Sequence, residues 1–293
     1  MKVAIYGNQF NKEFNSSINE LLDRLNHYNV DIYIYKPFYE FIKNNVNNRL
    51  KVRDTFIKHT DIRDEADVMF SIGGDGTFLE TVRFVRNYNI PLIGINTGKL
   101  GFLANISRDE ISYSVDSLIN REFSLEERAL VKLETSNNLF GELNYGLNEF
   151  TVHKRDSGSM IIISAYIDDD YLNTYWADGL IISTPTGSTA YSLSVGGPIV
   201  IPNSNNFIIV PISPHNLTVR PIVVPDNISL KLKVDGRGAN FLVTLDHRSE
   251  VIDSSIELII KRADFNISLI KFDKHTFYST LRNKLMWGID KRN

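Results

Sequence analysis

Gly73-Gly74-Asp75-Gly76-Thr77 sets three glycines and one carboxylate in five positions. The glycines let the backbone turn sharply and approach a ligand closely. An apolar run, Asp67-Val68-Met69-Phe70-Ser71-Ile72, leads in, and a helical pattern from Phe78 to Tyr88 leads out. A strand–turn–helix junction of this kind aims backbone N–H groups and a helix N-terminus at an anion such as phosphate. Gly73, Gly74, Gly76 and Thr77 are therefore candidate phosphate-binding positions. Asp75 is the odd member, because a carboxylate repels phosphate unless it binds a metal, takes a proton or orders a hydroxyl. The loop reads as a phosphoryl-transfer site rather than a passive cradle. A plain Asp-Gly turn is the structural alternative.

A second block runs from Asp178 to Pro198 (DGLIISTPTGSTAYSLSVGGP). An apolar strand enters a cluster in which Thr184, Thr186, Ser188, Thr189, Ser192 and Ser194 offer many donors and acceptors in little space. Asp178 suits a ribose diol and Tyr191 suits the face of a base, so the composition fits a nucleoside. The alternatives are a hydroxyl-rich loop capping a helix and, for Asp178, a strand-end turn. Leu147-Asn148-Glu149-Phe150 puts an amide beside a carboxylate at an apolar strand start, or forms a turn or cap. His153, His215 and His247 read as structural or surface residues, since no pair has metal-ligand spacing.

The elements that position these residues fall into two patterns. Up to about residue 107, apolar strands (Lys2–Tyr6, Asp31–Tyr35, Val68–Ile72, Pro91–Ile95) alternate with helical stretches (Ser16–Leu25, Phe38–Val46, from Phe78). That alternation predicts a parallel, Rossmann-like α/β domain over 1–107, with ligands at the carboxyl ends of its strands. The loops 73–77 and 96–102 both lie there. Asp109–Asn120 reads as a bridging helix. Nine further apolar runs between Leu130 and Phe272, separated by turn formers, predict a β-rich domain of stacked sheets or a sandwich over 108–274. The amphipathic Phe277–Trp287 helix belongs to a tail, 275–293.

Composition narrows the class. The chain has 293 residues, 43% hydrophobic, enough for a sizeable core. With 32 basic and 35 acidic residues its net charge is -3, which argues against a dedicated nucleic-acid or anionic-membrane protein. There is no cysteine, so disulfides, thiolate catalysis and thiolate metal sites are excluded. The first residues carry too short an apolar run for a signal peptide, and no run is long enough to span a membrane. The expected setting is cytoplasmic.

Together the GGDGT loop, the Asn148-Glu149 pair and the 178–198 block resemble the NAD kinase family, in order and in separation. Asn96–Leu103 (NTGKLGFL) and Pro214–Val223 (PHNLTVRPIV) are similar to further family segments, so the resemblance covers nearly the whole chain. It implies transfer of the γ-phosphoryl of ATP, or of another phosphoryl donor, to the 2′-hydroxyl of the adenosine ribose of NAD. Mg2+ would arrive with ATP, no protein metal site being implied. It also implies an α/β domain, a β-rich domain, a tail returning to the first, and homodimers or homotetramers. Asp75 matches the catalytic aspartate, and with Gly76 it would also touch NAD. Asn148 and Glu149 match the residues that hold the adenosine part. Asp178, Thr186, Thr189, Ala190, Tyr191, Ser192, Leu193 and Ser194 match further dinucleotide contacts. Trp176 stands where the family often has a basic residue, which suggests stacking or packing in place of a phosphate contact. His247 is carried over as an NAD contact from a variable position. Competing readings are a lipid or sugar kinase with the same loop, and a non-catalytic dinucleotide-binding protein. A nicotinamide oxidoreductase would want GxGxxG after the first strand, which Gly7-Asn8-Gln9-Phe10 lacks.

Overall fold

The computed structural model describes residues 1–46, 50–155, 158–237, 240–273 and 276–288. Residue 275 and residues 289–293 of the expected tail lie outside the described residues. The chain forms two compact units, one of 1–127 with 267–293 and one of 128–266.

The first unit opens with β1 (Lys2–Gly7), α1 (Asn15–His27), β2 (Asp31–Tyr35), α2 (Lys36–Asn45) and β3 (Asp54–Phe56). It continues through β4 (Val68–Gly73), α3 (Asp75–Val85), β5 (Leu92–Asn96), α4 (Ile111–Asn120) and β6 (Ser124–Arg128). Strands β3-β2-β1-β4-β5 pair in that order, all parallel. Strands β1, β4 and β5 are buried almost throughout, as strands covered on both faces must be. The buried residues Ile18, Leu21, Leu22 and Leu25 of α1 form one stripe at helical spacing. Strand order reverses beside β1, so the carboxyl ends of β1 and β4 flank the crevice where such sheets bind ligands.

The second unit contains β7 (Val131–Glu134), β8 (Tyr145–Gly146), β9 (Glu149–Lys154), β10 (Ile161–Ile167), β11 (Asp170–Ala177) and β12 (Gly179–Ser183). After the short α5 (Tyr191–Ser194) come β13 (Asn206–Ile212), β14 (Ile222–Pro225), β15 (Leu230–Gly236), β16 (Phe241–Leu245), β17 (Arg248–Ile252) and β18 (Leu258–Arg262). They make two six-stranded sheets, β11-β10-β15-β18-β7-β8 and β14-β13-β12-β9-β16-β17, with antiparallel pairing. Apolar residues of both sheets, among them Phe150, Ile182, Phe207, Ile163 and Leu232, share one core. The inward residues of β16 alternate with half-buried ones, as a one-sided strand requires.

The chain then returns to the first unit as β19 (Ile267–Lys271) and α6 (Phe277–Leu285). β19 pairs parallel with β5 and lies between β5 and β6, completing a seven-stranded sheet. Three sequence expectations change. Residues 108–127, expected in the β-rich domain, belong to the first unit, which holds α4 and β6. The run 266–272 joins the α/β sheet, not the β-rich unit. The helix expected from Phe78 begins at Asp75, so most of the glycine loop is its first turn.

Candidate active site

In the first unit the site is built where β4 ends. Gly74 is the extended N-cap of α3, and Asp75, Gly76 and Thr77 form its first turn. The first amides of a helix have no intrahelical partner and point outward along the axis. A Cβ placed on Gly74 or Gly76 would meet nothing within 4 Å, so both present open backbone. Gly73 is different: a Cβ there would collide with the side chain of Thr77. Thr77 is itself buried, and behind it Thr81 donates to Ser71 Oγ at 2.9 Å. Just beyond β1, Asn8 donates to Thr77 Oγ1 at 3.4 Å and to Glu80 at 3.0 Å.

The Asp75 carboxylate is held by the loop after β5. Oδ2 accepts from Phe102 N at 2.9 Å, and Oδ1 accepts from Leu103 N and Ala104 N, each at 3.0 Å. Lys284 of α6 adds its ammonium at 3.3 Å from Oδ2. The loop wraps this closely because Gly101 has no side chain; a Cβ there would fall onto Oδ1 of Asp75. Asn96, buried at the end of β5, ties the loop further by donating to Ala104 O at 3.3 Å and accepting from Gly98 N at 2.6 Å.

In the second unit Asn148 and Glu149 are buried at the start of β9. Their backbone is clamped by Asp246, whose carboxylate accepts from Leu147 N (2.8 Å), Asn148 N (2.8 Å) and Glu149 N (3.2 Å). Asp246 occupies the β16–β17 turn with φ 52°. Burial pushes its carboxyl up, against the pull of those three amides and of Arg248. The side chain of Glu149 is the opposite case. Its Oε2 is buried with no hydrogen-bond partner among the described residues. Burial first, and the charge of Asp246 second, push its carboxyl up to about 8, with the Tyr191 amide pulling the other way.

The 178–198 block folds against this pair. Thr184 N donates to Asn148 O at 2.8 Å, and Thr184 Oγ1 donates to Leu147 O at 2.6 Å. Gly187 packs so closely on Asn148 O that no side chain fits. Thr186 is buried, accepts from Arg128 at 3.3 Å, and its carbonyl takes a bond from Thr189 at 3.3 Å. Ser192 is buried with an Oγ that has no hydrogen-bond partner among the described residues, whereas Ala190 and Leu193 are half-buried and Ser194 is exposed. The Tyr191 ring stacks on His153 with centroids 5.7 Å apart and planes at 16°. Beside them Asp178 pairs with Lys154 at 2.6 Å. Burial lowers the His153 imidazole, with Asp178 opposing.

The structure therefore gathers Asn148, Glu149, Thr186, Thr189 and Tyr191 of the expected nucleoside residues into one cluster. Trp176 is exposed on β11, and His247 is exposed beside Asp246 in its turn. Sequence reasoning missed Asp246, Lys154, Arg128 and Lys284, and read His153 as structural. For Asp246 a local signal exists: Asp-His between two strand-like runs marks a tight hairpin.

The first unit can bind an anion at a helix N-terminus through open glycine backbone and hold a fixed carboxylate beside it. The second unit, by itself, can offer a nucleoside a buried carboxyl and an aromatic face. Residues 3–123 match the family model of the ATP-NAD kinase N-terminal domain, and residues 147–272 match that of the ATP-NAD kinase C-terminal domain. The chain is 47% identical to the NAD kinase of Cytophaga hutchinsonii over 293 residues, and 44% identical to that of Bacteroides fragilis over 292; both alignments cover 100% of each chain. Its fold is similar to yeast NADH kinase solved with NADH (TM-score 0.85, 21% identity, 99% of this chain and 88% of that one). It is also similar to an NAD kinase from Archaeoglobus fulgidus solved with ATP (TM-score 0.75, 23% identity, 98% and 99%). With both domain models matched in order along nearly its whole length, the chain belongs to the NAD kinase family.

Proposed function

We propose that this chain phosphorylates NAD on the 2′-hydroxyl of its adenosine ribose with the γ-phosphoryl of ATP, and that Asp75 accepts the hydroxyl proton. The observation that carries the assignment is Asp75 itself, a partly exposed carboxylate fixed by three backbone amides at the mouth of an anion-binding helix turn. In the step, a bond forms between the ribose 2′-oxygen and the γ-phosphorus as the β–γ bridging bond breaks, and ADP leaves. The hydroxyl proton passes to the Asp75 carboxylate and then to solvent. Phosphoryl transfer of this kind asks the protein for alignment and charge neutralisation more than for covalent chemistry. The amides of Gly74, Gly76 and Thr77 hold phosphate oxygens. Glu149, with its partnerless oxygen, takes a ribose or base hydrogen, while Asn148, Thr186, Thr189, Ala190, Ser192, Leu193 and Ser194 line the nucleoside and Tyr191 covers its ring. Asp178 helps Glu149 to fix the nucleoside. Magnesium enters as part of MgATP.

No helix among the described residues is long and apolar enough to cross a membrane. The proposal includes a cytoplasmic setting and assembly as homodimers or homotetramers, checked by fractionation and light scattering. The test of the activity is incubation with MgATP and NAD, reading NADP with an NADP-specific dehydrogenase. Parallel arms replace NAD by NADH and ATP by polyphosphate. NADP formation supports the reading; phosphorylation of a lipid or sugar in place of NAD, or binding without turnover, sinks it.

A further inference from the structure

The Asp75 carboxylate already has as many donors as it has lone-pair positions. Two amides sit on Oδ1, and one amide and the Lys284 ammonium sit on Oδ2. A substrate hydroxyl can reach it only by displacing one of them. The three amides belong to a loop that Asn96 and the close approach at Gly101 hold in place. Lys284 is the longest of the four contacts and the one carried by a flexible side chain.

Helix α6 holds that ammonium in place. Phe277, Thr280, Leu281 and Lys284 follow one face at i, i+3, i+4 and i+7, and Thr280 and Leu281 are buried. Phe277 packs against Phe102 with ring centroids 6.3 Å apart, and the Lys284 ammonium lies 4.9 Å over the same Phe102 ring. The lysine is thus tethered to the loop by a second contact, independent of the carboxylate. It stays in place when the carboxylate contact is lost.

We propose that Lys284 is the exchangeable donor of the active site: the 2′-hydroxyl displaces its ammonium from Oδ2 of Asp75, and the released ammonium neutralises charge on the phosphoryl group in transfer. The proposal rests on the reading of Asp75 as proton acceptor. It explains how a carboxylate can stand beside phosphates, since a cation travels with it and changes partner as the negative charge arrives. A contact made only as the phosphoryl group moves raises kcat and leaves KM alone.

The test compares Lys284→Met, Lys284→Arg and Lys284→Ala with the parent enzyme, after thermal melts show that each is folded. Lys284→Met is expected to lose roughly 100-fold in kcat, the scale of one lost charge-stabilising donor, with the KM values for NAD and ATP unchanged. Lys284→Arg recovers most of the rate, and added ethylammonium restores activity to Lys284→Ala in a saturable way. A kcat that is unchanged or raised in Lys284→Met, a loss that appears in KM, or a loss that ethylammonium does not relieve overturns the proposal. Asp75→Asn is assayed alongside: if it stays active, the proton-acceptor reading falls. If it is inactive while Lys284→Met is fully active, the exchange alone falls.

Discussion

Asp75 and Glu149 are both carboxylic acids at strand ends, and their surroundings are opposed. Asp75 follows β4, has about a third of its side chain open to solvent, and accepts from three amides and an ammonium. Glu149 opens β9, is buried, and has one oxygen without a partner. The first is fixed by donors, so its position is set before any substrate arrives, which is what transfer at a defined distance needs. The second has its backbone clamped by Asp246 and only the Tyr191 amide acting on its carboxyl, and its buried Oε2 carries an unmet demand that a ligand hydroxyl or amine can satisfy. Buried polar groups without partners are rare in folded proteins, and such sites mark ligand positions.

The comparison breaks most readily at Asp75. Asp75→Asn is expected to bind NAD normally and lose about 100- to 10,000-fold in kcat, the range for removal of a general base. Near-normal turnover would remove the proton-acceptor role. Next is Asp246→Ala, which leaves three amides of the 147–149 segment without their acceptor. Urea titration should show a loss of about 2–5 kcal/mol, while the milder Asp246→Asn keeps one acceptor and loses less.

The third test concerns proton uptake. Glu149 rises from 4.5 to about 8 in the folded protein. Between those values the native state holds a proton that the unfolded chain has released. The contribution is therefore full below pH 4.5 and is lost as pH rises through 8. Melts from pH 5 to 8 should show falling stability, and Glu149→Gln should flatten that slope; a slope unchanged in the variant places its origin elsewhere. The smallest effect is at Tyr191. Tyr191→Ala removes a stacking face worth about 1–3 kcal/mol, so KM for NAD should rise roughly tenfold or more with kcat little changed. An unchanged KM would take Tyr191 out of the nucleoside seat.

Much of this was legible in the sequence because the chemistry is local. Gly73–Thr77 and Asp178–Pro198 carry their meaning in contiguous residues, and the alternation of apolar strands and helices up to residue 107 announced a parallel sheet. The rest is long-range or inconspicuous. The start of α3 was placed late because Asp75-Gly76 has turn chemistry, whereas in the structure it is a helix's first turn. Strand β17 is hard to read because its residues are largely exposed, and β11 because its exposed, half-buried and buried residues follow no regular alternation. The partners of the site residues are also remote. Asp246 lies 98 residues from Asn148, and Lys284 lies 209 from Asp75. No spacing rule reaches that far; only the folded sheets set those pairs together.

The return of β19 to a place between β5 and β6 bears on how the chain is made. During synthesis, β1 to β6 leave the ribosome well before β19, and the whole β-rich unit is translated in between. The first sheet waits with an open slot through that interval, exposing strand edges that invite wrong pairing. Closing the slot brings together residues far apart in sequence, which is slow by its topology. The same late segment delivers Lys284 to Asp75, so the Asp75 carboxylate gains that donor only when β19 and α6 have docked. Completion of the first sheet and the docking of Lys284 on Asp75 are thus one event, which waits until the β-rich unit has been made.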